Sequence, residues 1–170
     1  GVIGLGRLGS LVAGFAKAFG MEVIAWSANL TEERCAEVGV RLATKEELLR
    51  NADFITIHQR LSDRTHGLIG ADELKLMKRD ACIINTSRGP IIDQQALSAA
   101  LNEGRIGGAA LDVFDEEPLP ADHPLKSVRN LLLTPHLGYV TRETYKVFYG
   151  ETVEAVEAFM AGSPIREIAP

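Results

Sequence analysis

Short apolar runs recur along the chain at residues 21–26, 53–58, 81–85, 107–113 and 130–134, each bounded by polar or turn-forming residues. Runs of this length predict strands buried on both faces, as in a parallel sheet. Helical patterns lie between them: an apolar-rich stretch over 8–19, a Thr44 and Glu47 capping-box pattern ahead of Leu48, and a stretch opened by Asp93 and closed by Gly104. With an opening strand at residues 1–3, this makes roughly six strands alternating with helices. The fold class this predicts is α/β: a doubly wound parallel sheet of Rossmann type in three α/β/α layers, with right-handed crossovers. A final helical pattern over 141–160 is stopped by Gly162 and Pro164.

Length and charge narrow the classes of function. The chain has 170 residues, the size of one ordinary domain, so residues 1–170 are expected to form a single domain. Against 18 Lys and Arg stand 23 Asp and Glu, for a net charge of −5 with no basic block, which argues against a nucleic-acid partner. No apolar run is long enough to cross a bilayer and no charged leader opens the chain, so no membrane partner and a cytoplasmic location are expected. Cys35 and Cys82 stand apart and outside any CxxC pair, and His66 and His123 lack ligand-spaced partners, so no metal is expected and both thiols read as reduced. The opening strand is shorter than strands usually are, and something upstream is expected.

The loop Gly4-Leu5-Gly6-Arg7-Leu8-Gly9 sits where a dinucleotide fingerprint should, between a Val-Ile strand and a helix. Gly4 permits the tight turn, Gly6 lets the backbone approach a pyrophosphate, and Gly9 lets the helix pack on the strand. At the end of the second strand, where an acid usually binds the ribose hydroxyls of NAD, the chain reads Trp26-Ser27-Ala28-Asn29. Ser27 lifts the repulsion that excludes a 2′-phosphate, yet no Arg stands at 28 or 29 to bind one. NAD is the expected cofactor and NADP stays open.

The strand over 81–85 runs into Thr86-Ser87-Arg88-Gly89-Pro90, which places a guanidinium on the loop edge of the sheet, where it can clamp a carboxylate. The next two strands end in Asp112-Val113-Phe114-Asp115-Glu116-Glu117-Pro118 and Thr134-Pro135-His136-Leu137-Gly138. Acid and imidazole emerge on the same edge, a pairing suited to interconverting a carbonyl and an alcohol near neutral pH. Arg60, on the loop after the third long strand, is a second candidate for a positive contact to substrate or cofactor phosphate, with a solvated role as the plainer reading.

The segments NTSRGPIIDQQALSAALNEGRIGGAALDVFDEEPLP and LLLTPHLGYVT resemble the nucleotide-binding domain of the D-isomer-specific 2-hydroxyacid dehydrogenases, and the match extends over essentially the whole chain. The resemblance implies Arg88, Glu117 and His136 as the catalytic set, with Glu117, beside Pro118, preferred over Glu116. It also implies that Asp112 binds the nicotinamide carboxamide. The cofactor-binding set expected overall is Gly4, Gly6, Arg7, Leu8, Gly9, Ser27, Thr86, Asp112 and Gly138. The chemistry implied is hydride transfer between NAD(P)(H) and a small 2-hydroxy acid/2-oxo acid pair, on a homodimer whose substrate-binding domain lies outside this chain. An NAD(H)-sensing or corepressor module on the same fold is the alternative.

Overall fold

The structure is a computed structural model describing residues 1–168. Its strands are β1 (Val2–Ile3), β2 (Ile24–Trp26), β3 (Arg41–Leu42), β4 (Phe54–Ile57), β5 (Cys82–Asn85), β6 (Gly108–Leu111) and β7 (Leu131–Leu133). Its α-helices are α1 (Arg7–Ala18), α2 (Glu32–Val38), α3 (Lys45–Asn51), α4 (Ala71–Leu76), α5 (Gln94–Asn102) and α6 (Arg142–Met160). The strands form one seven-stranded sheet in the order β3-β2-β1-β4-β5-β6-β7, parallel throughout, which is the doubly wound α/β fold expected. Sheet growth reverses between β1 and β4, and such a switch point opens a crevice at the carboxyl ends of the strands.

Two units divide the chain, Gly1–His136 and a second from Leu137 onward. In the first, successive strand residues feed opposite faces of the sheet, as the period of a strand requires. Ile3, Ile55, Ile57 and Ile83 pack with Leu48, Leu49, Leu74 and Leu97 of α3, α4 and α5. Val2 and Ala25 pack on the other face with Ala13 of α1 and Cys35 of α2. Beyond that cover, a shallow apolar trough on the sheet is lined by Phe54, Cys82, Ile84, Ala110 and Leu132. The second unit holds α6, capped by Thr141 Oγ1 accepting from the amide of Thr144, and Gly162 follows at φ 74°.

The structure shortens most of the expected strands and adds one. β2 covers only Ile24–Trp26 of the 21–26 run, because its neighbour β1 pairs through just two residues and Met21 and Glu22 are exposed. β3 is two residues, one of them an exposed arginine, and carries no apolar run to announce it. The Thr44 cap forms through the amide of Glu47, but the Glu47 carboxylate pairs with Arg41 of β3 and does not return to the cap, so the capping box is half made. α5 begins at its Asp93 cap, whose Oδ1 accepts from the amides of Gln95 and Ala96, and Gly104 follows its end at φ 63°.

Candidate active site

β1 ends against the glycine loop, and each glycine there answers a different steric demand. Gly4 sits at φ 100°, and a Cβ on it would lie 2.5 Å from the His58 carbonyl oxygen. A Cβ on Gly9 would collide with the Gly4 carbonyl, so α1 can lie this close to the loop only without a side chain there. Gly6 has no atom within 4 Å of where its Cβ would stand. The first intrahelical bond of α1 runs from Ser10 N to Gly6 O at 2.9 Å, so the amides of Arg7, Leu8 and Gly9 precede the helical ladder. Open space over Gly6 beside such amides fits a pyrophosphate, which those N–H groups and the positive helix end would hold.

A side chain from α2 braces this loop. Arg34 of α2 donates to the Leu5 carbonyl at 3.4 Å and to Ser10 Oγ at 2.9 Å, while Glu37 pairs with its remaining nitrogen at 2.8 Å. The sequence reading missed Arg34, since a helical arginine near glutamates resembles any solvated ion pair. Leu8, exposed on the first turn of α1, lines a cleft of about 370 Å³ with His58, Arg60, Thr86 and Arg88. Burial lowers the pKa of the His58 imidazole, and its Nε2 lies 3.0 Å from Thr56 Oγ1.

The loop after β5 is folded by a residue the sequence reading left as a strand end. Asn85 is fully buried; its Nδ2 donates to the Arg88 carbonyl at 2.8 Å and its Oδ1 accepts from the Ser87 amide at 3.0 Å. Ser87 Oγ donates to the Ile57 carbonyl at 2.7 Å, tying this loop to β4. Thr86 and Arg88 are thereby left exposed on the edge. Gly89 abuts the backbone of Phe114 and Asp115, with no room for a Cβ, so the Arg88 loop runs directly against the one bearing Glu117.

Within that second loop the Glu117 carboxylate is held at both oxygens. Oε1 accepts from the Phe114 amide at 2.8 Å, and Oε2 lies 2.6 Å from His136 Nδ1. Burial by itself would raise the Glu117 pKa. Hydrogen bonds from His136 and Phe114, with the positive fields of His136 and Arg88, more than offset this and leave it below the ordinary carboxylate value. Glu117, and not its neighbour Glu116, makes the imidazole contact. His136 occupies the left-handed region at φ 55°, uncommon for a residue with a side chain, and its amide donates to the Thr134 carbonyl at 3.0 Å. Asp112, buried at the end of β6, accepts from Thr134 Oγ1 at the end of β7.

The structure therefore brings Arg88, Asp112, Glu117 and His136 to the carboxyl edge of β5, β6 and β7. Gly4, Gly6, Arg7, Leu8 and Gly9 lie at the end of β1, and half-buried Ser27 follows β2. Gly138 belongs to the second unit. Among the described residues no cluster of His, Cys, Asp or Glu suits a metal ion, and no helix is long and apolar enough to cross a membrane.

Fold, glycine loop and paired acid and imidazole together define a dinucleotide-binding domain of the oxidoreductase kind. The sequence profile of the D-isomer specific 2-hydroxyacid dehydrogenase, NAD binding domain, matches residues 1–138, and the chain belongs to that family. It is similar to the glyoxylate reductase of Aeropyrum pernix, at 47% identity over 162 residues that make up 95% of this chain and 48% of that protein. It is also similar to the D-3-phosphoglycerate dehydrogenase of Methanocaldococcus jannaschii, at 44% identity over 95% of this chain and 31% of that protein. Among solved structures, the D-lactate dehydrogenase of Aquifex aeolicus complexed with NAD and lactic acid matches with a TM-score of 0.80 and 34% identity, over 95% of this chain and 53% of that one. The chain spans about half the length of the glyoxylate reductase and the lactate dehydrogenase.

Proposed function

We propose that the protein reduces a small 2-oxo acid to its 2-hydroxy acid, or runs the reverse, with a nicotinamide dinucleotide held at the glycine loop. The observation carrying this reading is the 2.6 Å contact of Glu117 with His136 Nδ1, on the sheet edge that also bears Arg88. With Nδ1 held by the carboxylate, His136 turns its Nε2 to the substrate, delivering a proton there in reduction and accepting it in oxidation. Arg88 binds the substrate carboxylate and polarises the neighbouring carbonyl, a task suited to a planar guanidinium. Thr86 and Asp112 position the nicotinamide end, while Gly4, Gly6, Arg7, Leu8 and Gly9 hold the pyrophosphate and Ser27 meets the adenosine ribose. When bound, the nicotinamide supplies or accepts the hydride.

The relatives are glyoxylate reductase, phosphoglycerate dehydrogenase and lactate dehydrogenase, all acting on short acids, and the substrate proposed is of that class. A second, substrate-binding domain, matching the further half of the relatives' length, would close over the edge and exclude water. The two free thiols Cys35 and Cys82 fit a reducing compartment, and the cytoplasm is the location proposed.

The test is steady-state oxidation of reduced cofactor by the full-length protein with glyoxylate, hydroxypyruvate, pyruvate and bulkier 2-oxo acids. Turnover is expected with at least one. His136→Ala should lose about 10²- to 10⁴-fold in kcat while still binding cofactor. Undiminished turnover in His136→Ala would remove the proposed acid. Cofactor binding without turnover on any acid would point instead to a sensing module.

A further inference from the structure

The glycine loop lies at the end of β1, and the nicotinamide-side residues lie at the ends of β5, β6 and β7, so the adenosine half of the cofactor falls toward β2. A cleft of about 390 Å³ opens there, between the end of β2 and the loop after β4. Trp26, Ser27 and Asn29 line one side and Arg60, Arg64 and Leu68 the other. No carboxylate lines it. Among the described residues, Arg60 and Arg64 form no ion pair, whereas Arg34, Arg41 and Arg50 are each paired with a glutamate.

The arginine loop is itself ordered by hydrogen bonds. Thr65 Oγ1 donates to the Arg60 carbonyl at 2.7 Å and accepts from the Ser62 amide at 2.8 Å, and the Thr65 amide donates to the Ser62 carbonyl at 2.9 Å. Two exposed cations are thus fixed on a short pinned turn, facing the position where an acid would normally bind ribose hydroxyls. Unpaired guanidiniums beside a hydroxyl and an amide side chain are groups that recognise a phosphate dianion.

We infer that this cleft binds the 2′-phosphate of the adenosine ribose through Arg60 and Arg64, with Ser27 and Asn29 as neutral hydrogen-bonding partners, and that the protein prefers NADPH to NADH. The selective groups come from the loop after β4, which explains how a chain without an arginine at 28 or 29 makes the choice. The inference rests on the dinucleotide-binding part of the proposed function and not on the chemistry at His136. Arg60 also lines the cleft bearing Arg88, whereas Arg64 lines only the adenosine cleft, so Arg64 is the cleaner probe.

The experiment is calorimetric titration of the full-length protein with 2′,5′-ADP and 5′-AMP, fragments that differ only in the 2′-phosphate. The wild type should bind 2′,5′-ADP tighter by about tenfold or more, the size of a charge-assisted hydrogen bond. Arg64→Ala should lose most of that advantage and Arg60→Ala/Arg64→Ala all of it, with 5′-AMP affinity unchanged in both. Ser27→Asp should weaken 2′,5′-ADP and spare 5′-AMP. Equal affinities in the wild type, full discrimination in the double variant, or binding of neither nucleotide would each overturn the inference. Since turnover is not read, a protein that discriminates the fragments but reduces no oxo acid would sink the dehydrogenase reading and leave this one standing.

Discussion

At the scale of single residues, the site turns on one carboxylate whose two oxygens have different duties. Phe114 N–H fixes Oε1, so Oε2 is presented to His136 and cannot rotate away without losing a backbone bond. The Glu117 pKa is held low despite burial, and the sign of the consequence is definite. A carboxyl held low when folded contributes stability above its unfolded value, and that contribution is lost only as pH falls through the lowered folded value. The pair should therefore stay intact across the mildly acidic range. In Glu117→Gln the imidazole keeps a hydrogen-bonding neighbour but loses the negative charge, and kcat for reduction should fall about 10²- to 10⁴-fold. An unchanged kcat in Glu117→Gln would refute the role. That Arg88 and His136 share one edge was legible in the sequence because both followed strand ends, whereas Glu117 was singled out from its neighbours by the family resemblance alone. Asn85 was not, since an asparagine closing a strand reads as turn punctuation until its two loop bonds are seen. Asn85→Ala leaves the Ser87 amide and the Arg88 carbonyl without these partners. It should cost about 1–3 kcal/mol in chemical denaturation and raise KM for the oxo acid more than it lowers kcat.

At the scale of elements, the loop between β1 and α1 separates two kinds of glycine by experiment. A methyl at Gly9 meets the Gly4 carbonyl, so Gly9→Ala must push α1 off the sheet and should lose about 1–3 kcal/mol of stability, seen as a lowered denaturation midpoint. A methyl at Gly6 meets no protein atom. Gly6→Ala should therefore unfold within about 0.5 kcal/mol of the wild type yet bind the dinucleotide about tenfold or more weakly, the cost of a lost charge-assisted hydrogen bond. Unchanged affinity in Gly6→Ala would show that the phosphates lie elsewhere. The same elements show what patterning makes readable. Apolar runs announced β4, β5, β6 and β7 to within a residue or two; for the inner strands β4, β5 and β6 the reason is that both faces of such a strand call for apolar side chains, while β7 closes the sheet as an edge. β3 went unseen because an edge strand of two residues, one an exposed arginine, satisfies no such rule. The Arg34 brace was equally hidden, since it depends on where α2 packs and not on any local spacing.

At the scale of the molecule, the unclaimed apolar surface is an argument about assembly. Leu11, Phe15 and Phe19 follow one another at four-residue intervals along and just beyond α1, and they are 56%, 65% and 83% exposed. Residues at this spacing share one face of a helix. Isolated exposed apolar residues are ordinary, whereas a stripe carrying two phenylalanines on one helix face is the pattern that interaction surfaces present. We propose that two copies pack through it about a two-fold axis, as closed homodimers commonly do, which would join the two cofactor loops through paired α1 helices. The full-length protein should then run as a dimer in light scattering after size exclusion. Phe15→Asp with Phe19→Asp should dissociate it, because unpaired carboxylates at an apolar contact pay their desolvation without a partner. Neither side chain is in the buried core, so the monomer should keep its fold and its dinucleotide affinity. A dimer that survives both substitutions would place the contact on another surface, and the trough over Phe54 and Leu132 would be the next to mutate. A wild-type protein that is already monomeric would refute the dimer.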